Sequence, residues 1–343
     1  MSSVSEEIDY FDQLPDPILL SIFNKVKDAK SLCSSMAVCK RFNSIIPEID
    51  NISLSIPPRH KKINPTKKSL EQRNSFNRSF IRRVILKPLN FLLQLFKYRS
   101  CSCDSEEGGY SYYLPQEILN PFRDLKSMEI KLPKSKGELG SDLLKWKAEF
   151  GSQFQSCVLA GAKSISRNQS EIMENQDLRI GDAELKLRIV WTISCLIAAS
   201  ARHYLIQQTL KDRENLKNLT IGDESNQGTL SMNSEQIQDL RKSINSGMKN
   251  EEMLLDRTKV PALRMKMWYV PELKLPDSDS VMKGATLVVI KPVDEGKKKA
   301  EESEDWVVKA IDGGEGEEGK TFVEAVKKLM KKKRSYTLEM NSF

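Results

Sequence analysis

The chain has 343 residues, of which 39% are hydrophobic and 29% charged, and a formal net charge of +7. This composition is typical of a globular protein long enough for two domains and a sizeable core. Twelve Lys and Arg residues and one Glu lie in residues 59–99, which therefore carry +11 and leave −4 for the rest of the chain. The basic character is local, which excludes a nucleic-acid surface along the whole chain.

The six cysteines indicate a reducing compartment, because no spacing among them resembles a disulfide framework: Cys33, Cys39, Cys101, Cys103, Cys157 and Cys195. Cys101 and Cys103 lack a second Cys or His pair at a zinc-binding spacing, so we expect no metal and no cofactor. The acidic start MSSVSEEIDYFDQ has no basic region followed by an apolar run, and we expect no secretory signal. These features favour the nucleus, the cytoplasm or both.

The first predicted element is an apolar helix near the start of the chain. Asp16 is a suitable N-cap, and Pro17 suits the first helical position, where a missing N–H is harmless. Apolar residues then follow at helical spacing: Leu19, Ile22, Phe23 and Val26.

Two shorter helices are predicted next. Asp28 suits the N-cap of the second, which carries Leu32 and Met36, and the third covers 38–46 and ends before Pro47. About 40 residues make a poor core on their own, so these apolar helices need a partner. The partner is either another protein or the rest of this chain, and we favour another protein.

The three predicted helices together resemble the F-box motif. The resemblance rests on LPDPILLSIF at 14–23, on Leu32 and on VCKRF at 38–42, in this order and at nearly the expected spacing. Phe42 stands where the family most often has Trp. The resemblance covers residues 10–55 and indicates an F-box domain over residues 1–55.

Residues 56–110 are predicted to form a basic linker with short helices. Their first part is polar, whereas apolar residues at helical spacing lie on both sides of Pro88: Phe80, Ile81, Val84, Ile85, Phe91, Leu92, Leu95 and Phe96. Residues 59–99 have two interpretations. One is a linker whose helices dock on the following domain, which we favour; the other is a scaffold that binds anionic surfaces or nucleic acid. The aromatic residues have the spacing of a core, so we do not expect nucleic acid as a partner.

The remaining residues, 111–343, are predicted to form an irregular α/β substrate-recognition domain. A first short strand is expected at 51–56, at the end of the F-box. Further short strands are expected at 127–132, 156–160, 218–221, 263–269, 285–290, 305–312 and 336–340. Helices are expected at 182–210 and 321–333. Leucines precede several strands, as in a degenerate leucine-rich repeat with one strand per unit. The predicted fold class is therefore α+β, with a small N-terminal helical F-box followed by an irregular leucine-rich-repeat-like α/β domain.

Other apolar and charged stretches have simple structural interpretations. The apolar stretch 189–201 has 13 residues, too few to span a bilayer, and is expected to be a buried helix rather than a membrane span. The tail KKLMKKKR at 327–334 is either a nuclear import signal or a helix with a solvated basic face.

The sequence offers no catalytic constellation. Its two histidines lie apart, His60 in the basic segment and His203 on the long predicted helix, where a surface or packed histidine is expected. Neither a nucleophile elbow, a zinc-protease motif nor a phosphate-binding loop occurs. GGEGEEG at 313–319 carries carboxylates that would repel phosphate, and is interpreted as a solvated loop. We therefore expect a protein that is not an enzyme.

The resemblance to F-box proteins implies the substrate-recognition subunit of an SCF-type ubiquitin ligase. In that family the F-box docks on a Skp-like adaptor, which connects it to a cullin and a RING subunit. The carboxy-terminal domain then presents an unknown protein substrate for ubiquitination and proteasomal degradation. By the family pattern, the adaptor-binding residues are Leu14, Pro15, Ile18, Leu19, Ile22, Phe23, Val38, Cys39 and Phe42.

A finer resemblance concerns the carboxy-terminal part. The stretches WTISCLIAASARHYLIQQ at 191–208 and LRMKMWYVPELKLPDSDSVMKGATLVVIKP at 263–292 are similar to those of a plant-type group that includes the auxin-up-regulated F-box proteins.

Overall fold

The computed structural model describes nine stretches of the chain: 10–11, 13–56, 118–133, 143–167, 180–210, 213–247, 261–293, 304–312 and 316–340. The predictions for the basic segment 59–99 and for the loop with Cys101 and Cys103 lie outside the described residues. The two interpretations of residues 59–99 therefore both stay predictions.

Three short helices form the N-terminal part: α1 (Asp16–Val26), α2 (Ala29–Met36) and α3 (Lys40–Ile45). The prediction for α2 is confirmed, because the Asp28 carboxylate accepts a hydrogen bond from the Ser31 backbone N–H at 2.8 Å. The prediction for α1 is wrong by one residue, because Pro15 occupies the N-cap and Asp16 is already helical. The carboxylate of Asp16 contacts α3 instead.

The described residues after these helices contribute to one large mixed sheet. Its ten strands are β1 (Asn51–Ser55), β2 (Ser127–Leu132), β3 (Leu143–Phe150), β4 (Phe154–Ala162), β5 (Ser164–Arg167), β6 (Asn218–Asp223), β7 (Gly228–Met232), β8 (Leu263–Leu275), β9 (Ser280–Pro292) and β10 (Tyr336–Met340). The strand order is β1-β2-β6-β7-β3-β4-β9-β8-β10, and β5 pairs with β9. The β1–β2, β2–β6 and β3–β7 pairs are parallel, and the other named pairs are antiparallel.

This topology confirms a helical N-terminal part followed by a mixed α/β domain, and corrects the leucine-rich-repeat-like part of the prediction. Stacked repeats each contact only their neighbours in the chain, so successive strands would lie side by side. Here β2 lies between β1 and β6, and β3 lies between β7 and β4. The leucines before the strands fill one shared core and do not mark repeats.

Four further helices of the described residues cover the sheet: α4 (Asp182–Thr209), α5 (Ser234–Gly247), α6 (Glu304–Ile311) and α7 (Glu317–Met330). The predicted long helix is confirmed by α4. The strand predicted at 305–312 is wrong, because this stretch is α6. Val307 and Ile311 are both buried, and their spacing of four residues places them on one helix face.

The sheet separates two hydrophobic cores, because alternate residues of a strand point to opposite faces. Leu159 of β4 belongs to the core under α1 to α5, whereas Val158 beside it belongs to the core under α6 and α7. The first core also contains Leu19, Phe23 and Leu32 of the N-terminal helices. Those helices therefore pack on the rest of the chain as part of the same folded unit.

α4 runs across the sheet with two of its charged residues, Arg188 and Arg202, turned inward. Arg188 is fully buried and donates hydrogen bonds to the Gly284 carbonyl oxygen (3.1 Å) and Thr286 Oγ1 (3.2 Å). Arg202 forms a buried ion pair with Asp223 at 2.9 Å. These contacts place both guanidinium groups between α4 and the strands, where partner atoms compensate their loss of hydration.

By length and composition alone, α4 is apolar enough to cross a membrane over Asp182–Gln207, and it is the one such helix in the described part of the chain. Its apolar window is 56% buried inside the fold, and Arg188 and Arg202 lie within its length. A core helix passes the same test of length and composition, so this feature does not indicate a membrane span.

Candidate protein-docking site

The start of α1 is fixed to α3 by one arginine. Arg41 Nε and Nη2 donate hydrogen bonds to Asp16 Oδ1 at 2.9 and 2.6 Å. Its Nη1 donates to the Phe11 carbonyl oxygen at 3.0 Å, and Nη2 also donates to the Leu14 carbonyl oxygen. One side chain therefore ties α3 to the extended Leu-Pro segment and to the first turn of α1.

Phe42, next to Arg41, adds an aromatic contact to the same junction. Its ring centroid lies 5.1 Å from that of Phe23 and 6.0 Å from that of Phe11, in both cases edge to face. Aromatic pairs prefer this geometry. An aromatic residue at this position thus joins α3 to the inner side of α1.

The predicted adaptor-binding residues fall into three groups by exposure. Leu19 and Phe23 are buried in the chain's own core, with 0% and 6% of their surface exposed. Leu14 and Phe42 are partly buried. The other five are exposed: Pro15, Ile18, Ile22, Val38 and Cys39.

The division on α1 follows from helix geometry. Ile18 and Ile22 form one stripe of residues four apart, and Leu19 and Phe23 form the next stripe, about 100° around the helix. The second stripe faces the sheet core, and the first faces solvent, with Ile18 48% and Ile22 38% exposed. α1 is thus apolar on two faces, and the described part of the chain buries only one of them.

Exposed large apolar side chains are concentrated around this face. Seven occur in the described part of the chain, and six of them lie between residues 10 and 38: Tyr10, Phe11, Ile18, Ile22, Val26 and Val38. The seventh is Leu338 on β10. Clustered apolar exposure marks an interaction surface, whereas scattered single residues are normal. We call these six residues, with Pro15 and Cys39, the apolar patch.

Sequence reasoning did not assign Tyr10, Phe11 and Val26 to the site. For Val26 the signal is present, because it continues the Ile18–Ile22 stripe at the same spacing of four residues. Tyr10 and Phe11 precede α1, where no helical period places them on a face. The Arg41 hydrogen bond to the Phe11 carbonyl oxygen places this segment beside α1 and α3.

Backbone contacts hold the patch in a fixed position on the α/β domain. The Ser53 N–H of β1 donates to the Lys27 carbonyl oxygen at 2.6 Å, and the Asp50 N–H donates to Asn24 Oδ1 at 2.8 Å. Further along, the Arg123 N–H donates to the Pro47 carbonyl oxygen at 3.1 Å. The patch therefore keeps one orientation relative to the sheet.

The titratable groups of the described residues do not form a metal site. No cluster of three His, Cys, Asp or Glu side chains able to hold a metal occurs among them. His203 is a packed histidine, which is one of the two environments that the sequence predicts. Its ring stacks on that of Phe150 with the centroids 4.6 Å apart, and its Nε2 lies 2.9 Å from the Gly151 carbonyl oxygen. Burial lowers the pKa of His203 to about 4. It is therefore a neutral core residue.

The fold and the patch define a class of protein: a helical docking module built onto the edge of a larger mixed α/β domain. Comparison with known proteins agrees with this. Residues 11–50 match the F-box-like family model. Over 98% of its length, the chain is 37% identical to F-box protein At4g18380 of Arabidopsis thaliana, covering 95% of that protein. It is 33% identical to F-box protein AUF1 and to F-box protein AUF2 of the same plant, again over 98% of this chain and 100% of each relative.

The chain belongs to the F-box protein family, and the resemblance inferred from the sequence is confirmed. Members of this family are generally substrate adaptors of SCF complexes and not catalysts. No solved structure is significantly similar to the whole fold.

Proposed function

We propose that this chain is the substrate-recognition subunit of an SCF-type ubiquitin ligase. In this proposal the apolar patch binds a Skp-like adaptor, which connects the chain to a cullin and a RING subunit. The α/β domain holds a protein substrate for ubiquitination and proteasomal degradation. The chain performs no covalent step, and its contribution to the reaction is to raise the local concentration of substrate. The observation that supports this most directly is the clustering of six of the seven exposed large apolar side chains among the described residues.

The exposure data divide the nine family-pattern residues by role. Pro15, Ile18, Ile22, Val38 and Cys39 are accessible and are proposed to contact the adaptor directly. Leu19 and Phe23 are proposed to support that surface from below, because they are buried between α1 and the sheet core. Leu14 and Phe42 lie between the two groups, and their partly buried side chains form the margin of the patch.

The charges around the patch suggest the character of its partner. Four lysines on or next to the three helices are exposed: Lys25, Lys27, Lys30 and Lys40. Complementary charges steer association more than they raise affinity. We therefore propose that the adaptor surface is an apolar groove with acidic residues around it.

The rigid attachment of the patch has a consequence for the substrate. Because β1 continues directly from the three helices into the large sheet, the α/β domain cannot rotate freely about the docking module. In this proposal a substrate bound to the α/β domain is held at a defined distance from the ubiquitin-carrying enzyme, which favours transfer to a limited set of lysines.

We also propose that the protein acts in the nucleus, the cytoplasm or both, where ubiquitin ligases of this kind would meet their substrates. Lys331, Lys332 and Lys333 are exposed after α7, so an import receptor can reach them. A fluorescent fusion compared with a variant carrying Gln at these three positions tests the import signal. Equal nuclear signal in the two would show that these lysines are not an import signal.

The docking proposal is tested by co-purification of the full chain with Skp-like adaptors. We expect Ile18→Asp with Ile22→Asp to abolish capture, because a charge would be buried in an apolar interface. Leu338→Asp is the control, compared with each of the single variants Ile18→Asp and Ile22→Asp, since it places one negative charge on the one exposed large apolar residue described outside the patch. Capture of the Ile18/Ile22 variant at the parent level would refute the proposal. Equal loss in the control would show that the effect is not specific to the patch.

A further inference from the structure

The two ends of the large sheet differ in how their outer strands are covered. At the end formed by β1, the Ser53 N–H donates a hydrogen bond to the Lys27 carbonyl oxygen at 2.6 Å, and Asp28 forms a bridge with Ser53. The docking module therefore covers part of that edge. At the other end, β10 pairs with β8, and no further strand of the described chain lies beside it. An outer strand presents main-chain N–H and C=O groups with which another extended segment can pair.

The edge of β8 beyond β10 meets a helix. β8 has 13 residues, and β10 pairs with residues 263–267 of it. Further along, Lys328 Nζ of α7 donates a hydrogen bond to the Lys274 carbonyl oxygen at 2.9 Å. α7 thus reaches the far part of this edge, and β10 forms the near part.

One face of β10 offers an apolar contact. Tyr336, Leu338 and Met340 are two residues apart and therefore share a face. Tyr336 and Met340 pack against the core under α4, whereas Leu338 between them is 36% exposed. A side chain of a further strand paired with β10 would lie beside Leu338, because residues opposite each other in neighbouring strands point to the same face.

The approach to β10 is strongly cationic. Four exposed residues lie between the end of α7 and the start of the strand: Lys331, Lys332, Lys333 and Arg334. No acidic side chain of the described chain forms an ion pair with any of the four. The carboxylate on β10 itself, Glu339, is compensated by Arg264 of β8, with Nε 2.9 Å from Oε1. The edge therefore favours a partner that carries carboxylates.

We propose that β10 is a docking edge for an extended, acidic segment of another protein. The segment pairs with β10 through main-chain hydrogen bonds, places an apolar side chain beside Leu338, and carries acidic residues where it passes residues 331–334. In this mode of binding the main-chain bonds supply affinity and the side chains supply specificity. A second copy of the chain fits this edge less well, because its own β10 brings the same four cations and no uncompensated carboxylate.

The docking edge lies on the α/β domain, away in sequence from the patch. As the place where that domain holds its substrate, the edge rests on the proposed function. As a site for an acidic strand it is independent of the adaptor, so peptide binding and adaptor capture are measured separately.

The first test selects peptides from a random twelve-residue library displayed on phage, with the full chain as bait. An edge variant carries Leu338→Asp, Lys331→Glu, Lys332→Glu and Lys333→Glu, and is used to remove peptides that bind elsewhere, the apolar patch included. We expect the remaining peptides to alternate apolar and polar residues and to carry acidic ones. The strongest, as a fluorescent synthetic peptide, should bind the edge variant about tenfold or more weakly than the parent, because the charge complement and the apolar contact are both lost.

The matched control changes the same three charges on the docking module. Lys25→Glu, Lys30→Glu and Lys40→Glu alter exposed lysines far along the chain from β10, and this variant should bind the peptide as the parent does. Equal loss of peptide binding in this control would assign the effect to the overall charge of the chain and overturn the docking edge.

The second test leaves the protein unaltered, so it does not depend on the folding of a variant. Alternate residues of a strand direct their N–H groups to opposite sides. Two forms of the selected peptide are N-methylated, one at its odd and the other at its even positions. We expect one form to lose binding and the other to keep it. Equal binding of the two forms would show that the peptide does not add as a strand.

Two further results would overturn the proposal. One is a selection that yields no peptide able to distinguish the parent from the edge variant. The other is light scattering that shows a dimer of the parent and a monomer of the edge variant, which would assign β10 to contact between two copies. The edge variant should still capture a Skp-like adaptor. Peptide binding by a parent chain that captures no adaptor would refute the proposed function and leave the docking edge standing.

Discussion

Arg41 and Asp16 join the two ends of the docking module, with Arg41 Nη2 2.6 Å and Nε 2.9 Å from the same oxygen, Asp16 Oδ1. The ion pair is partly exposed, at 29% for the Arg41 and 65% for the Asp16 side chain, so its Coulomb energy alone contributes little. Its importance is geometric, because the same guanidinium group also binds the carbonyl groups of Phe11 and Leu14. The apolar patch depends on this junction for its shape.

Arg41→Lys is therefore expected to weaken adaptor binding while leaving the α/β domain folded. A lysine keeps the charge but cannot hold several acceptors in a fixed fork. We expect the dissociation constant for the adaptor to rise about tenfold, which corresponds to roughly 1.4 kcal/mol. Calorimetric titration of the full chain measures it, with Asp16→Asn as a milder comparison. Unchanged affinity in Arg41→Lys would show that the junction does not shape the patch.

Leu19 and Ile18 are neighbours in α1, but their substitution by alanine is expected to affect different properties of the protein. Leu19→Ala removes a fully buried side chain from the core shared with the sheet, and should lower the free energy of unfolding by about 2–5 kcal/mol. Ile18→Ala changes an exposed residue, and should alter stability by less than about 0.5 kcal/mol while weakening adaptor binding. Denaturant unfolding without adaptor and titration with adaptor separate the two effects. If Ile18→Ala destabilised the chain and Leu19→Ala weakened only adaptor binding, Ile18 rather than Leu19 would face the sheet core.

The Leu19–Ile18 pair also shows what the sequence does and does not determine. The apolar residues of α1 repeat at helical spacing and predict the helix, and the F-box motif predicts its use. Which of two adjacent apolar stripes faces outward depends on the sheet that α1 meets, and local spacing carries no information about that contact. A similar limit explains α6, because a short apolar run such as that around Val307 fits a strand and a helix equally well.

The strand order could not be predicted from the sequence, because it too depends on contacts between distant parts of the chain. Burial of alternate residues identifies a strand but does not identify its neighbour, so β6 beside β2 could not be inferred. β3 was missed even though Leu144, Trp146, Ala148 and Phe150 alternate in its sequence, because intervening lysines and a glutamate lowered its apolar character.

Gly228 and Gly222 provide a matched pair for testing the packing of β6 and β7. A Cβ atom on Gly228 would lie 2.2 Å from Cε2 of Trp146, whereas one on Gly222 would have no neighbour closer than 3.8 Å. Trp146 in turn stacks on Arg202, whose carbon Cζ lies 4.6 Å from the ring centroid. We expect Gly228→Ala to lower the free energy of unfolding by more than about 2 kcal/mol and Gly222→Ala by about 1 kcal/mol or less. Denaturant melts that show equal effects would contradict this packing.

His203 makes stability depend on pH in a defined window. Its pKa is about 4 in the folded chain, because burial disfavours the imidazolium, and 6.5 when unperturbed. The unfolded state therefore binds the proton first, and stability that is full above pH 6.5 is lost as the pH falls toward 4. The loss is on the order of 3 kcal/mol.

The measurement is the free energy of unfolding between pH 4 and 7.5 for the parent and for His203→Phe. The variant keeps a ring to stack on Phe150, and carboxylates elsewhere titrate equally in both proteins. The free energy of unfolding of the parent minus that of the variant should therefore fall steadily as the pH drops below 6.5. A constant difference over this range would show that His203 is accessible to protons in the folded chain.

The exposed lysines around the patch should govern the salt dependence of adaptor binding. Replacing Lys25, Lys30 and Lys40 by Gln is expected to weaken binding at low ionic strength by about 1–2 kcal/mol in total, since exposed ion pairs contribute roughly 0.2–1 kcal/mol each. The same variant should match the parent near 1 M salt, where the Debye length falls to about 3 Å.

The matched control replaces Lys331, Lys332 and Lys333, which are also exposed but lie after α7. Titrations at several salt concentrations measure both. An effect that persists at high salt would assign these side chains to direct packing in the interface, and an equal effect in the control would assign the salt dependence to the overall charge of the chain.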